Sequence, residues 1–204
     1  GAEKIVLDVT VGKGAFMKTK EDANKIINDT ISILQSRMKY DGNIGYWTTN
    51  SNKDSFITFY CAEFLIDARN KGYYVPDEML QKVKIAIENE IKREKDSSYD
   101  IYLRAYGIYI LTKSEEVTTH YIEKLENDIT KNNYSYSDYE ALYLAASYAM
   151  LKQDKKANEI LKKINRKKQF DSSWICHNDL HYIATYIDVI SNYFPKEIDS
   201  IKAK

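Results

Sequence analysis

Two kinds of helix alternate along this chain, and that alternation constrains its fold more than any other feature. Four segments are apolar nearly all round: F-I-T-F-Y-C-A-E-F-L-I from Phe56, Y-L-R-A-Y-G-I-Y-I-L from Tyr102, Y-E-A-L-Y-L-A-A-S-Y-A-M-L from Tyr139 and L-H-Y-I-A-T-Y-I-D-V-I from Leu180. Helices of that kind are buried on every side. Between them lie amphipathic, charge-rich segments with one face for water. Each apolar segment carries an alanine flanked by aromatics, and Ala62, Ala105, Ala145 and Ala184 recur at roughly 40-residue intervals. The pattern is a degenerate repeat of a helical hairpin. It predicts an all-α protein, an α/α toroid with inner helices lining the axis and outer helices forming the wall. An open solenoid of helix pairs is the alternative.

The stops and starts agree with this. The first helix is expected from Thr19 to about Lys39, with Ile26, Ile27, Ile31, Leu34 and Met38 as its stripe. The second runs from Ser55 to Lys71. Pro76 suits the first turn of a third helix carrying Leu80, Val83, Ile87 and Ile91. The fourth covers Tyr99–Thr112, and the fifth Glu115–Thr130 with Val117, Tyr121, Ile122, Leu125 and Ile129. The sixth covers Asp138–Lys152, the seventh Lys155–Lys167 and the eighth Asp179–Phe194; Pro195 ends that one, and a short helix can follow. The loops before the four apolar helices are alike: T-N-S-N-K-D-S-F, K-D-S-S-Y-D, Y-S-Y-S-D-Y and D-S-S-W-I-C-H-N-D. Their Ser, Asp and Asn residues can cap helix N-termini. Residues 1–18 are expected to be an N-terminal segment and 19–204 one toroid domain. Gly1 and Ala2 could be native or left from a tag.

Composition narrows the function classes. Thirty Lys plus Arg balance thirty Asp plus Glu, so no broad electrostatic footprint for nucleic acid exists. No apolar run approaches the roughly 20 residues that span a bilayer, so membrane insertion is not expected. The start lacks the pattern of a signal peptide. The chain therefore reads as cytoplasmic or as a domain excised from a larger exported protein. Two cysteines, Cys61 and Cys176, make no disulfide framework.

The loop Y-D-G-N-I-G-Y-W, Tyr40 to Trp47, is the one unusual stretch. A glycine pair permits a sharp turn where side chains would clash, and Tyr46 and Trp47 could roof one end of the toroid. The run I-S-I-L-Q-S-R-M-K-Y-D-G-N-I-G-Y-W, followed by D-S-F-I-T-F-Y-C-A-E-F-L-I-D-A-R-N-K-G-Y-Y-V-P, resembles the thioester domain of bacterial alpha-2-macroglobulin-like proteins. The matching residues are Asp41, Gly42, Gly45 and Trp47, then Thr58, Tyr60, Phe64, Leu65, Ala68, Arg69, Gly72, Tyr73, Val75 and Pro76. The resemblance implies an α/α toroid within a protease trap. A protease cuts a bait region, the large protein rearranges, and a thioester can capture the attacker. It implies target proteases and neighbouring domains of the parent as partners, no cofactor, and a periplasmic, cell-surface or extracellular location.

The sequence departs from the family at the reactive bond. That bond joins the Cys and Gln of a Cys-x-Glu-Gln motif. Cys61-Ala62-Glu63-Phe64 has phenylalanine in place of the glutamine and lies well downstream of the family's position. Gly1-Ala2-Glu3-Lys4 could be a decayed motif or tag residue plus whatever follows. Neither can form a thioester. Some relatives place an activating His before the second inner helix, where this chain has K-D-S-S-Y-D. Either the sequence begins after the motif or this is a thioester-less member; the expectation is a non-catalytic toroid domain of a protease inhibitor, with Cys61 a buried small hydrophobe.

A toroid enzyme is the rival. Cys176, His177 and His181, with Asp179 near, are ligand types that zinc accepts, and prenyltransferases and lanthionine cyclases hold zinc in related toroids. No second Cys or His begins another apolar helix, and His120 falls in an outer one; the bland reading is a cap at Asn178 or Asp179 with two histidines in partial contact with water. Glu63, Arg104, Glu140 and Asp188 interrupt the apolar helices. Ion pairs along the axis are the expectation, and a glycosidase carboxylate pair is the alternative. The tyrosines Tyr60, Tyr102, Tyr106, Tyr109, Tyr139, Tyr143, Tyr148, Tyr182 and Tyr186 make a core with bonded hydroxyls, or else a pocket for a prenyl chain. The lysines from Lys162 to Lys168 read as a solvated helix end. A peptide-binding helical repeat is the third class.

Overall fold

The computed structural model describes residues 19–49, 54–93, 97–132, 137–164 and 179–197. These residues are all-α, with hairpins of alternating amphipathic and apolar helices and no strand among them; an isolated bridge pairs Met38 with Ile44. The chain divides into two compact units, residues 1–90 and 91–204.

The first unit holds α1 (Lys20–Arg37), α2 (Ser55–Asn70) and α3 (Asp77–Ile91). The Thr19 hydroxyl caps α1 by accepting from the Asp22 N–H at 3.1 Å, and Asp54 caps α2 by accepting from Ile57 at 3.2 Å. Helix α1 buries Ala23, Ile27, Ile31 and Leu34, while Ile26, which the spacing also puts in the stripe, is only half-buried. Met38 is its C-cap, outside the helix. Helix α2 buries Thr58, Phe59, Ala62, Leu65, Ile66 and Ala68 and leaves Tyr60, Cys61, Glu63 and Phe64 half-buried. Helix α3 turns Met79, Val83, Ala86 and Ile87 inward.

The second unit holds α4 (Ser98–Lys113), α5 (Thr119–Lys131), α6 (Asp138–Met150), α7 (Asp154–Leu161) and α8 (Asp179–Tyr193). Helices α4, α6 and α8 lie side by side, α6 between the other two, with α5 against α4 and α7 against α6. Helix α4 is buried from Ile101 to Thr112 and α6 from Asp138 to Tyr148. Their tyrosines pack ring against ring: Tyr106 and Tyr143 stack with centroids 4.8 Å apart, Tyr109 lies tilted against Tyr143 at 5.2 Å, and Tyr102 meets Tyr139 edge to face at 5.7 Å.

Several details correct the sequence reading. The fifth helix starts at Thr119, not Glu115. Glu115 takes a left-handed turn at φ 68°, and the Thr118 hydroxyl is buried against that of Thr112 at 2.6 Å. Val117 therefore stands exposed outside the helix. The seventh helix ends at Leu161, with Lys162 as its C-cap. Helix α8 is not buried all round: Tyr182, Val189 and Ile190 are buried while Ile183 and Ile187 face water. Residues 195–197 make a helical turn after it.

Candidate functional site

The glycine loop is a corner held by backbone bonds. After α1, the Lys39 N–H donates to Asn43 O at 2.8 Å, Gly42 to Lys39 O at 3.1 Å and Gly45 to Arg37 O at 3.1 Å. The Asp41 carboxylate accepts from the Asn43 N–H at 3.1 Å, an Asx turn. Gly42 sits at φ +82°, and a Cβ there would lie 2.0 Å from the Lys82 carbonyl oxygen of α3. Glycine is thus required twice, for the backbone conformation and for the close approach.

Ile44 drives the corner inward. Its side chain is buried, and its N–H donates to the Thr58 hydroxyl of α2 at 3.1 Å. That hydroxyl donates in turn to Asp54 O at 3.1 Å. The sequence reading missed Ile44, because an isoleucine between an asparagine and a glycine carries no periodic signal. The Arg37 guanidinium holds the Tyr46 carbonyl at 3.1 Å. Tyr46 and Trp47 meet edge to face at 4.9 Å. Trp47 is 65% exposed and Tyr46 41%.

The second half of the matching stretch builds the turn into α3. Gly72 takes φ +87°, and the Tyr73 hydroxyl donates to the Asn24 side chain at 3.0 Å. The Arg69 guanidinium donates to Val75 O and pairs with the Asp77 carboxylate. A cleft of about 190 Å³ opens beside the corner between Met38, Tyr40, Pro76 and Met79. On its rim Lys82 pairs with Glu78 at 2.7 Å and holds that carboxyl below its ordinary value.

The candidate catalytic groups take structural roles. Burial pushes the Cys61 thiol up to about 12, against a smaller lowering pull from Arg37. Arg104 pairs with Asp128 of α5 at 2.6 Å, so its partner lies on an outer helix and not along the axis. Glu140 lies in the first turn of α6 and accepts from the Ser137 N–H as half of a capping box. Asp188 is exposed and accepts from the Asn192 side chain at 3.0 Å. His181 Nδ1 meets the Tyr139 hydroxyl at 2.9 Å. Cys176 and His177 lie outside the described residues, as does Gly1-Ala2-Glu3-Lys4. Among the described residues, no three His, Cys, Asp or Glu side chains gather as metal ligands. No described helix is long and apolar enough to cross a membrane.

Geometry defines the class: an all-α repeat of helical hairpins with a rigid glycine corner. Comparison with known proteins takes the assignment further. The chain is 31% identical over 182 residues to an alpha-2-macroglobulin homolog of Yersinia pestis, an alignment covering 86% of this chain and 9% of that protein. It is 28% identical over 195 residues to the alpha-2-macroglobulin of Rickettsia conorii, covering 93% of this chain and 10% of that one. The fold matches native Escherichia coli alpha-2-macroglobulin, solved from domain MG7 to the C-terminus, at TM-score 0.75 and 16% identity, covering 90% of this chain and 31% of that one. It also matches the trypsin-activated form of the Escherichia coli protein, at TM-score 0.63 and 15% identity, covering 73% of this chain and 11% of that one. No family model matches. The chain belongs to the bacterial alpha-2-macroglobulin-like family. It spans about a tenth of the length of the curated relatives it matches.

Proposed function

We propose that this chain is a non-catalytic module of a bacterial protease trap, working in the periplasm, at the cell surface or outside the cell. Its task is mechanical: a rigid helical body that docks on neighbouring domains of the parent and moves when a target protease cuts the bait. The observation that carries this reading is the 31% identity over 182 residues to an alpha-2-macroglobulin homolog. A thioester needs a nucleophilic sulfur and a neighbouring glutamine carbonyl. Cys61 is followed three residues on by Phe64 and not by a glutamine, and it lies on α2, well downstream of where the family resemblance places the reactive cysteine. Support for the trap itself comes from the family, one member of which is solved in a trypsin-activated form.

The test is a trapping assay on the full-length parent. The parent is mixed with a broad-specificity protease, and a small chromogenic peptide and a large protein substrate are assayed side by side. A caged protease still cuts the peptide and spares the protein. Cleavage of both at the uninhibited rate refutes the trap for that protease.

A further inference from the structure

The corner turns on an aspartate followed by a glycine, Asp41–Gly42, a pair that occurs once in the chain. Such a pair carries its own chemistry. The glycine amide nitrogen can attack the aspartate side-chain carbon, and glycine has no Cβ to hinder the approach. The nitrogen bonds to Cγ, and the hydroxyl of the carboxylic acid leaves as water with the amide proton. The product is a cyclic imide. Water then opens the ring. Opening at Cγ restores aspartate. Opening at the main-chain carbonyl carbon gives isoaspartate, with the backbone routed through Cβ and Cγ. Water is the one co-reactant, and no oxidation state changes.

In the folded corner both reacting groups are engaged. The Lys39 N–H donates to Asn43 O at 2.8 Å and closes a loop of Tyr40, Asp41 and Gly42. A turn followed by a left-handed glycine suits a loop of that length, and Gly42 stands at φ +82°. The Gly42 N–H donates to Lys39 O at 3.1 Å, so the proton that must leave is held. Asp41 Oδ1 accepts from the Asn43 N–H at 3.1 Å, which ties the carboxyl to the residue beyond Gly42. Asp41 is exposed to water, while Gly42 and Asn43 are buried. The Lys82 carbonyl oxygen stands where a Cβ on Gly42 would be, so the glycine has no space to shift towards α3. An imide nitrogen carries no hydrogen. The ring therefore cannot form while the Gly42–Lys39 bond survives.

We propose that Asp41–Gly42 is a site of isoaspartate formation gated by the corner. It is silent while the Gly42–Lys39 and Asp41–Asn43 bonds hold, and it reacts when the corner opens. Local openings of this kind occur without unfolding of the whole chain. The product adds a methylene to the backbone between Asp41 and Gly42. A loop lengthened there no longer fits both the Lys39–Asn43 closure and the close approach to Lys82. The modification thus records each opening and keeps the corner from closing again. This inference stands independently of the inhibitor reading.

Site-resolved peptide mapping of the 204-residue chain tests it. The chain is aged in mildly acidic buffer, folded and in urea. Isoaspartate at position 41 is followed by mass spectrometry and by labelling with an isoaspartyl methyltransferase. Thr58→Val is aged beside it, because it removes the acceptor of the Ile44 N–H and loosens the corner. Thr58→Ser keeps that acceptor and serves as its control. Asp41→Glu, which would have to close a larger ring, sets the background. Circular dichroism checks that the variants keep their helices. The expected rate in urea is at least about tenfold that of the folded chain, with folded Thr58→Val between the two and Thr58→Ser near the unaltered chain. Equal rates in the folded chain and in urea overturn the proposal, since the corner then guards nothing. Absence of isoaspartate at position 41 in urea overturns the site itself. Folded Thr58→Val ageing no faster than the unaltered chain overturns the corner as the gate and assigns that role to global unfolding.

Discussion

The glycine corner of the first unit and the tyrosine stack of the second are built on opposite economies. The corner rests on a few directional contacts, each made once: Gly42 against the Lys82 carbonyl, Ile44 N–H to Thr58, Asp41 to Asn43. The stack rests on many rings that repeat one another, with Tyr143 alone against Tyr102, Tyr106, Tyr109 and Tyr139. Directional contacts fail singly. Redundant ones degrade gradually. The corner is therefore where one atom decides the fold, and the stack is where stability is spread.

The sharpest break is Gly42→Ala. The added Cβ meets backbone rather than a movable side chain, in a conformation that alanine avoids. A loss of roughly 3–5 kcal/mol is expected by urea unfolding. A loss under about 1 kcal/mol would mean that the corner yields, and the contrast with the stack would fall. Thr58→Val comes next. It keeps the shape of the side chain and removes the acceptor of the buried Ile44 N–H, for about 1–3 kcal/mol. Serine at the same place should restore most of it.

These contrasts also explain what could be read from sequence. The hairpin repeat was legible because burial on every side leaves a composition that no amphipathic helix has. Legible too was Gly42, since a glycine between aspartate and asparagine has few purposes besides a turn. The start of α5 was not. Val117 has the spacing of a core residue, but the Thr112–Thr118 hydroxyl pair fixes the turn, and only the folded chain brings those threonines together. Nor was Glu140 legible as a cap, because its N-cap serine sits in a loop with several serines. The exposure of Ile183 and Ile187 could not be seen either, since periodicity reports what a helix can bury and not what arrives to cover it.

Within the stack, Tyr143→Leu should cost about 1–2 kcal/mol, mostly the ring-on-ring part of its contacts. Tyr106→Leu should cost a similar amount, and the double variant less than the sum, since the two rings share a partner surface. Additive losses would show rings that act singly, as the corner contacts do. Cys61 gives a smaller effect with a defined pH signature. Its thiol rises from 9.0 to about 12 in the folded chain. The native state favours the protonated form, so the contribution is fully present below about pH 9 and is lost as pH rises towards 12. The urea midpoint should fall over that window, and Cys61→Ser should flatten the fall. A cysteine-dependent change below pH 8 would contradict the desolvation of this half-buried thiol.

The smallest effect on stability should come from the residue with the largest apolar face at the corner. Trp47 is 65% exposed, and the turn is held without it by the Arg37–Tyr46 bond and the Gly42 and Ile44 contacts. Trp47→Ala should therefore shift the unfolding free energy by less than about 0.5 kcal/mol. If the corner serves only to turn the chain, trapping by the full-length parent should be equally unchanged. If a neighbouring domain covers the indole, as an exposed tryptophan on a rigid turn invites, the parent should lose thermal stability or trapping that the isolated chain does not. A large destabilisation of the isolated chain would instead make Trp47 part of the corner and erase the distinction between the residues that build it and the one that it displays.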